Sequence, residues 1–155
     1  MRKGFTLIEI TLYFGLLSIF LLVLTYIFTS SLAVKLASES ASALTQDAGY
    51  ILSRLSYDLT NADSVTVPSS QSLQFTNSGV SYSYSVADGN LSLTEDSNSA
   101  RLNGIDTRIT SINFTQVGNS SGVATVQVIF TIEPVAVGNS VQKPETFQTT
   151  IGLRH

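Results

Sequence analysis

The N-terminal side chains combine two basic groups and one carboxylate with a long uncharged segment. Arg2 and Lys3 are the only charged residues before Glu9, and the next charge after Glu9 is Lys35. Because about 20 apolar residues in a helix cross the hydrocarbon core of a bilayer, residues 10–34 predict a transmembrane helix. A charged side chain deep in hydrocarbon costs about 2.5–3.5 kcal/mol, so the sequence predicts a partner for Glu9.

The residues from Lys3 to Glu9, Lys-Gly-Phe-Thr-Leu-Ile-Glu, resemble the class III signal of type IV prepilins and pseudopilins. In that family a prepilin peptidase cuts after the glycine and methylates the new amino terminus. The resemblance therefore implies cleavage between Gly4 and Phe5, which makes Gly4 and Phe5 the processing residues. It also implies that Phe5 and Glu9 are the assembly residues, since the Glu9 carboxylate would pair with the terminal amine of Phe5 on a neighbouring subunit.

The same residues have other interpretations. Thr6 and Glu9 have the spacing of a capping box, in which each side chain would bond the backbone amide of the other. Ala41-Ser42-Ala43 could be the cleavage site of a secretory signal, but the apolar region of such signals is only about 7–15 residues long. An uncleaved signal anchor is the remaining alternative.

The charge distribution predicts the orientation and limits the partners. Arg2 and Lys3 should stay in the cytoplasm by the positive-inside rule, which places the chain after Val34 outside it. Removal of residues 1–4 leaves six Lys and Arg against eleven Asp and Glu, so the formal net charge changes from -3 to -5. No nucleic-acid partner is expected, because nucleic-acid binding requires clustered basic residues. The chain has no cysteine and therefore no disulfide.

The helical pattern continues beyond the uncharged segment. No proline interrupts residues 5–61, so one nearly continuous helix is predicted there. The pairs Lys35–Glu39 and Arg54–Asp58 have i,i+4 spacing and are interpreted as parts of a solvated helix face. An apolar stripe should form the opposite face. Its members recur at steps of three and four residues: Leu36, Ser40, Ala43, Leu44, Ala48, Ile51, Leu52, Leu55, Leu59 and Ala62.

After residue 62 the apolar period falls to two and turn residues become frequent, which predicts a β-rich head. Asp88-Gly89 indicates a hairpin, and strands are predicted at 73–75, 80–86, 91–93, 109–117, 124–132 and 147–153. The predicted fold class is α+β and pilin-like, with one long N-terminal helix packed by its second half on an antiparallel β-sheet head. The predicted domains are a cleaved leader (1–4), a transmembrane and assembly helix (5–34), an amphipathic helix (35–62) and the head (63–155).

Little in the head suggests catalysis. His155 is the only histidine, and there is no Gly-x-Ser-x-Gly motif, so an enzyme is not expected. Glu95, Asp96 and Asn98 could offer oxygens to calcium, but they lack EF-hand spacing, so neither a metal nor a cofactor is expected. The connection from Pro134 to Pro144 is a candidate for partner contact, with plain solvent exposure as the alternative.

Two further segments resemble particular members of the pilin superfamily. Residues 50–62 are similar to the helix end of W-type minor pilins and J-type minor pseudopilins, and residues 147–154 to their final strand. This resemblance favours a minor subunit of a type IV pilus or type II secretion pseudopilus, in the cytoplasmic membrane before assembly. Its expected partners are prepilin peptidase, other pilin or pseudopilin subunits and the inner-membrane assembly platform. The alternatives are a major pilin and a single-pass, signal-anchored protein with an adhesive or DNA-uptake head.

Overall fold

A computed structural model describes residues 6–118, 124–135 and 143–154. These residues form one α-helix followed by eight β-strands. The chain divides into two compact units, Met1–Ser38 and Glu39–His155. The helix α1, Leu7–Thr60, contributes residues to both units.

The predicted long helix is confirmed over Leu7–Thr60. It begins where the carbonyl of Thr6 accepts hydrogen bonds from the amides of Glu9 and Ile10, at 3.1 and 3.3 Å. At the other end the amide of Asn61 donates to the carbonyl of Tyr57, and the chain then turns into the first strand. The helix is uninterrupted because residues 7–60 contain no proline, and its many Leu, Ala and Ser residues fit a helical backbone.

A five-stranded antiparallel sheet follows, with its strands in sequence order. The predicted hairpin at Asp88-Gly89 is confirmed: both residues have positive φ, 52° and 76°, which is the requirement of a type I′ turn. Ser78-Gly79 forms the same kind of turn, with φ of 52° and 81°. The strands are β1 (Ser64–Ser69), β2 (Ser72–Asn77), β3 (Val80–Ala87), β4 (Asn90–Glu95) and β5 (Asn98–Arg101).

The last three strands form a second antiparallel sheet, in the order β6 (Thr107–Val117), β7 (Thr125–Pro134) and β8 (Glu145–Gly152). The antiparallel head is therefore confirmed, but it comprises two sheets where the sequence predicted one. Two backbone hydrogen bonds link them: Ile109 donates to the carbonyl of Gly89 and Phe114 to that of Ser70, each at 2.8 Å. Both acceptors lie in turns, so β6 meets the first sheet at its turns and does not extend it.

The second half of α1 and both sheets share one hydrophobic core within the unit Glu39–His155. The apolar side chains on one face of β7 are fully buried in this core. The predicted helix stripe is confirmed over most of its length. The buried members of the stripe are Leu44, Ala48, Ile51, Leu55, Leu59 and Ala62. The buried apolar side chains of β7 are Val126, Val128, Phe130 and Ile132.

Candidate functional site

The N-terminal site predicted from the sequence lies only partly within the described residues. Gly4 and Phe5 lie outside them, so their roles stay predictions. Glu9 is in the first turn of α1 and is partly buried. A negative charge suits this position, because backbone amides and the helix dipole leave partial positive charge at a helix N-terminus.

The contacts of Thr6 and Glu9 at the start of α1 are not those of a capping box. The amide of Glu9 bonds the backbone carbonyl of Thr6 and not its hydroxyl. Among the described residues, no hydrogen bond to the Glu9 carboxylate is found. The Glu9 side chain is therefore available for a partner outside these residues.

The uncharged part of α1 carries large apolar side chains that are exposed. Leu7, Leu22 and Phe28 expose 82%, 72% and 68% of their surface, and every large apolar side chain from Leu7 to Val34 is exposed. The helix is long and apolar enough to cross a membrane. Exposed apolar surface of this extent needs either lipid or other protein surfaces to remove it from water.

Four hydroxyl groups within this apolar segment donate to backbone carbonyls of the same helix. Thr11, Ser18 and Thr25 donate to the carbonyls of the residues three or four positions earlier, at 2.8–2.9 Å. Thr29 does the same, at 3.0–3.1 Å. The hydroxyl hydrogens of these four residues therefore need no water, which fits an apolar environment.

In the head, a buried carboxylate attaches α1 to the first sheet. The predicted solvated face at Arg54–Asp58 was wrong for Asp58, which is only 6% exposed. Its Oδ2 accepts hydrogen bonds from the hydroxyl of Tyr84 at 2.5 Å and from Nε of Arg54 at 2.9 Å. Asp58 lies three residues after Leu55 and seven after Ile51, so the helical spacing places it on the buried face.

The surroundings of the Tyr84 hydroxyl change its pKa. Burial of the ring, followed by the hydrogen bond to Asp58 and its negative charge, raises the pKa of the Tyr84 hydroxyl well above its usual value of 10.0. Ionised Tyr84 would place a second negative charge beside a buried carboxylate, which is unfavourable in a low-dielectric interior. The hydroxyl is therefore a stable hydrogen-bond donor at neutral pH.

A second helix carboxylate holds the loop between β5 and β6. Oδ2 of Asp47 accepts hydrogen bonds from the backbone amide of Gly104, at 2.7 Å, and from the hydroxyl of Thr107. The buried Asn103 extends this contact, because it accepts a hydrogen bond from the amide of Leu91 at 2.9 Å and donates to the carbonyl of Thr107 at 2.8 Å. Asp47 and Asp58 thus attach the helix to two separate parts of the head.

The other residues considered from the sequence lie at the β4–β5 hairpin or outside the described residues. Glu95, Asp96 and Asn98 lie around the β4–β5 hairpin, where Glu95 accepts a hydrogen bond from Tyr82 at 3.1 Å. Within the described residues no group of three or more Asp, Glu or His side chains could hold a metal. Residues 136–142 of the predicted contact loop, and His155, lie outside the described residues.

Comparison with known proteins finds no matching family model, no matching curated protein and no matching solved structure. The layout, one long apolar N-terminal helix followed by antiparallel sheets, is compatible with a pilin-like architecture. A function is therefore inferred from the residues and geometry of this chain.

Proposed function

We propose that this chain is a subunit of a type IV pilus or type II secretion pseudopilus that assembles through its N-terminal helix. The observation that carries the proposal is an exposed, uncharged helical surface that follows directly after a single carboxylate. A basic leader with a glycine at its end precedes that carboxylate, which is the arrangement of a class III signal.

The proposed role of Glu9 is to pair with the terminal amine of a processed neighbour. Opposite unit charges about 4 Å apart attract by about 4 kcal/mol near a protein surface. This gain is comparable with the cost of about 2.5–3.5 kcal/mol for a lone charged side chain in the bilayer. Pairing therefore favours assembly of helices in which the carboxylate and the amine meet.

The apolar surface supplies the rest of the proposed assembly contact. In the membrane the segment 10–34 is covered by lipid, and in a filament it would be covered by the same segment of neighbouring subunits. Packing of helices in an apolar medium depends on van der Waals contact and on polar groups such as Glu9. The head would lie outside the cytoplasm, as the basic leader indicates.

Processing would come before assembly. Prepilin peptidase would remove residues 1–4 and methylate the amine of Phe5, which keeps its positive charge. The processed chain would then enter a filament with other pilin or pseudopilin subunits at the inner-membrane assembly platform. The similarity of residues 50–62 and 147–154 to minor subunits favours a low-copy position. The main alternative is a major subunit, which would dominate the protein of sheared filaments.

Co-expression with a prepilin peptidase tests the proposal. We expect the chain to lose the mass of residues Met1–Gly4 and to gain the mass of one methyl group. Peptide mass spectrometry should place this methyl group on Phe5. Gly4→Leu is the matched control and should remain uncut. A wild-type chain that keeps Arg2 to Gly4 beside an active peptidase would refute processing and favour a simple membrane anchor.

A further inference from the structure

The loop between β5 and β6 contains the chain's single Asn-Gly dipeptide, Asn103-Gly104. Asparagine followed by glycine is prone to deamidation, because a residue without a side chain does not hinder its own backbone nitrogen from reaching the asparagine side chain. The deprotonated nitrogen of Gly104 would attack Cγ of Asn103, the new C–N bond would close a cyclic imide, and ammonia would leave. Water would then open the imide to Asp or isoaspartate, so one water is consumed and one ammonia is released.

The reacting side chain is buried and hydrogen-bonded at both ends of its amide. Asn103 is only 3% exposed. Its Oδ1 accepts a hydrogen bond from the amide of Leu91 at 2.9 Å, and its Nδ2 donates to the carbonyl of Thr107 at 2.8 Å. Nδ2 also lies 3.4 Å from the carbonyl oxygens of Gly89 and Gly104. Because deamidation removes Nδ2 as ammonia, the bond to Thr107 must break before the reaction can finish.

The attacking nitrogen is held by a carboxylate. The amide of Gly104 donates to Oδ2 of Asp47 at 2.7 Å, and a Cβ at residue 104 would lie 2.9 Å from the same oxygen, so the contact requires glycine. Deamidation needs this N–H group to lose its proton. An anionic nitrogen beside an ionised carboxylate is unfavourable, because like charges repel each other strongly in partly buried surroundings. Asp47 therefore requires the reactive dipeptide and also opposes its reaction.

A second asparagine in the head has the same arrangement. In Asn77-Ser78, at the β2–β3 turn, the amide of Ser78 donates to Oδ2 of Asp63 at 2.7 Å. Ser78 is exposed, and its side chain hinders the attack on Asn77 more than glycine would. This turn therefore offers an internal comparison for Asn103, in which a different carboxylate holds the corresponding amide.

We propose that Asn103 is a deamidation site that stays unreacted while Asp47 holds the Gly104 amide and reacts when α1 separates from the β5–β6 loop. Both bonds from the loop to Asp47, from the amide of Gly104 and from the hydroxyl of Thr107, would break in that separation. Such local opening needs less free energy than unfolding of the whole head. This inference does not depend on the proposed role in a filament.

The product cannot form the original contacts again. Deamidation replaces the Nδ2 donor of Asn103 by a carboxylate oxygen, which cannot donate a hydrogen bond. The carbonyls of Thr107, Gly89 and Gly104 would then face a negative charge in a buried position, and a buried charge without a partner is strongly unfavourable. In the isoaspartate product the backbone is also longer by one carbon. A transient opening of this loop would therefore become a permanent change in the head.

Peptide mass spectrometry of the full chain in detergent micelles at mildly alkaline pH tests the proposal, because it measures the conversion of Asn103 to Asp and isoaspartate over time. We expect conversion in Asp47→Asn to be about ten-fold faster than in the wild type, which corresponds to ~1.4 kcal/mol in the barrier. Asn at this position keeps an oxygen acceptor for the Gly104 amide and removes the charge. Asp63→Asn is the matched control, since it should accelerate conversion of Asn77 and leave Asn103 at the wild-type rate.

Tyr84→Phe distinguishes local opening from general destabilisation, since it removes a hydroxyl that is bonded to Asp58 and not to the loop. Denaturant titration gives the free energy of unfolding of each variant. Asp47→Asn should convert Asn103 faster than Tyr84→Phe does at equal or greater stability. Rates that follow global stability alone, or slower conversion in Asp47→Asn because the carboxylate acts as a base, would overturn the proposal.

The wild type provides a second measurement if Asp47→Asn does not fold. Deamidation of Asn103 through local opening should depend weakly on low concentrations of denaturant, because such opening exposes little surface. A dependence as steep as that of global unfolding would refute the local opening and with it the proposed role of Asp47.

Discussion

The hydrogen bond between Tyr84 and Asp58 should make a large contribution to the stability of the head. The two oxygens are 2.5 Å apart, Tyr84 is fully buried and Asp58 nearly so. Tyr84→Phe removes the hydroxyl and leaves Arg54 as the remaining side-chain partner of the carboxylate. The Arg54 side chain is 41% exposed, so solvent screens its attraction to the Asp58 carboxylate, and Arg54 does not replace the lost hydroxyl. A hydrogen bond to a charged group contributes about 1.5–3 kcal/mol, which is the loss expected here.

The same contact predicts a dependence on alkaline pH. The pKa of Tyr84 is raised in the folded state, so below pH 10 the hydroxyl is protonated in both states and its contribution is complete. Above pH 10 the unfolded chain releases a proton that the folded chain retains. The free energy of unfolding then falls by up to about 1.4 kcal/mol per pH unit. Tyr84→Phe should remove this part of the alkaline destabilisation.

Thermal unfolding of the full chain in detergent micelles measures both effects, with the near-ultraviolet circular dichroism of tyrosine as the signal. A loss of 1.5–3 kcal/mol corresponds to a decrease in Tm of roughly 5–15 °C for a head of this size. Tyr57→Phe is the matched control, because Tyr57 is 66% exposed and should not change Tm. If Tyr84→Phe has the same Tm as the wild type and loses stability at alkaline pH to the same extent, the buried hydrogen bond does not stabilise the head.

Other substitutions test the packing of the head and the contact at Asp47. Gly104→Ala should destabilise by about 1–3 kcal/mol in a denaturant titration, because a Cβ there would lie 2.9 Å from Oδ2 of Asp47. Gly49→Ala, where a Cβ would meet nothing within 4 Å, should instead stabilise the helix by about 0.5–1 kcal/mol, and the opposite order would contradict the geometry. Leu55→Ala should cost about 2–5 kcal/mol in the same titration, and Leu52→Ala less, since Leu55 is fully buried and Leu52 is not.

Local patterns predicted the elements that depend on neighbouring residues in the chain. The helix was recognised because Leu7–Thr60 has helical spacing and no proline, and the β3–β4 hairpin because Asp88-Gly89 suits a type I′ turn. β1 and β5 were not predicted, since β5 is wholly exposed and β1 buries only Val65. β5 therefore lacks the alternation that marks a half-buried strand, and in β1 the alternation covers only Val65 and Val67 before Pro68.

The buried carboxylates show where local patterns are insufficient. Asp58 has the spacing of the apolar stripe, but its charge favoured an exposed position until its partner, 26 residues away, was known. Asp47 contacts Thr107 across 60 residues. The role of Glu9 depends on a second molecule, which no single chain contains, so that role stays a prediction.

The most direct test of the proposed assembly is the incorporation of Glu9→Gln into filaments, compared with wild type in the same cells. Glu39→Gln is the control, because it makes the same chemical change on the same helix outside the uncharged segment. We expect Glu9→Gln to be processed and methylated normally but to be absent from sheared filaments, whereas Glu39→Gln is incorporated. Incorporation of Glu9→Gln at the wild-type level would contradict the pairing of the Glu9 carboxylate with a neighbouring amine.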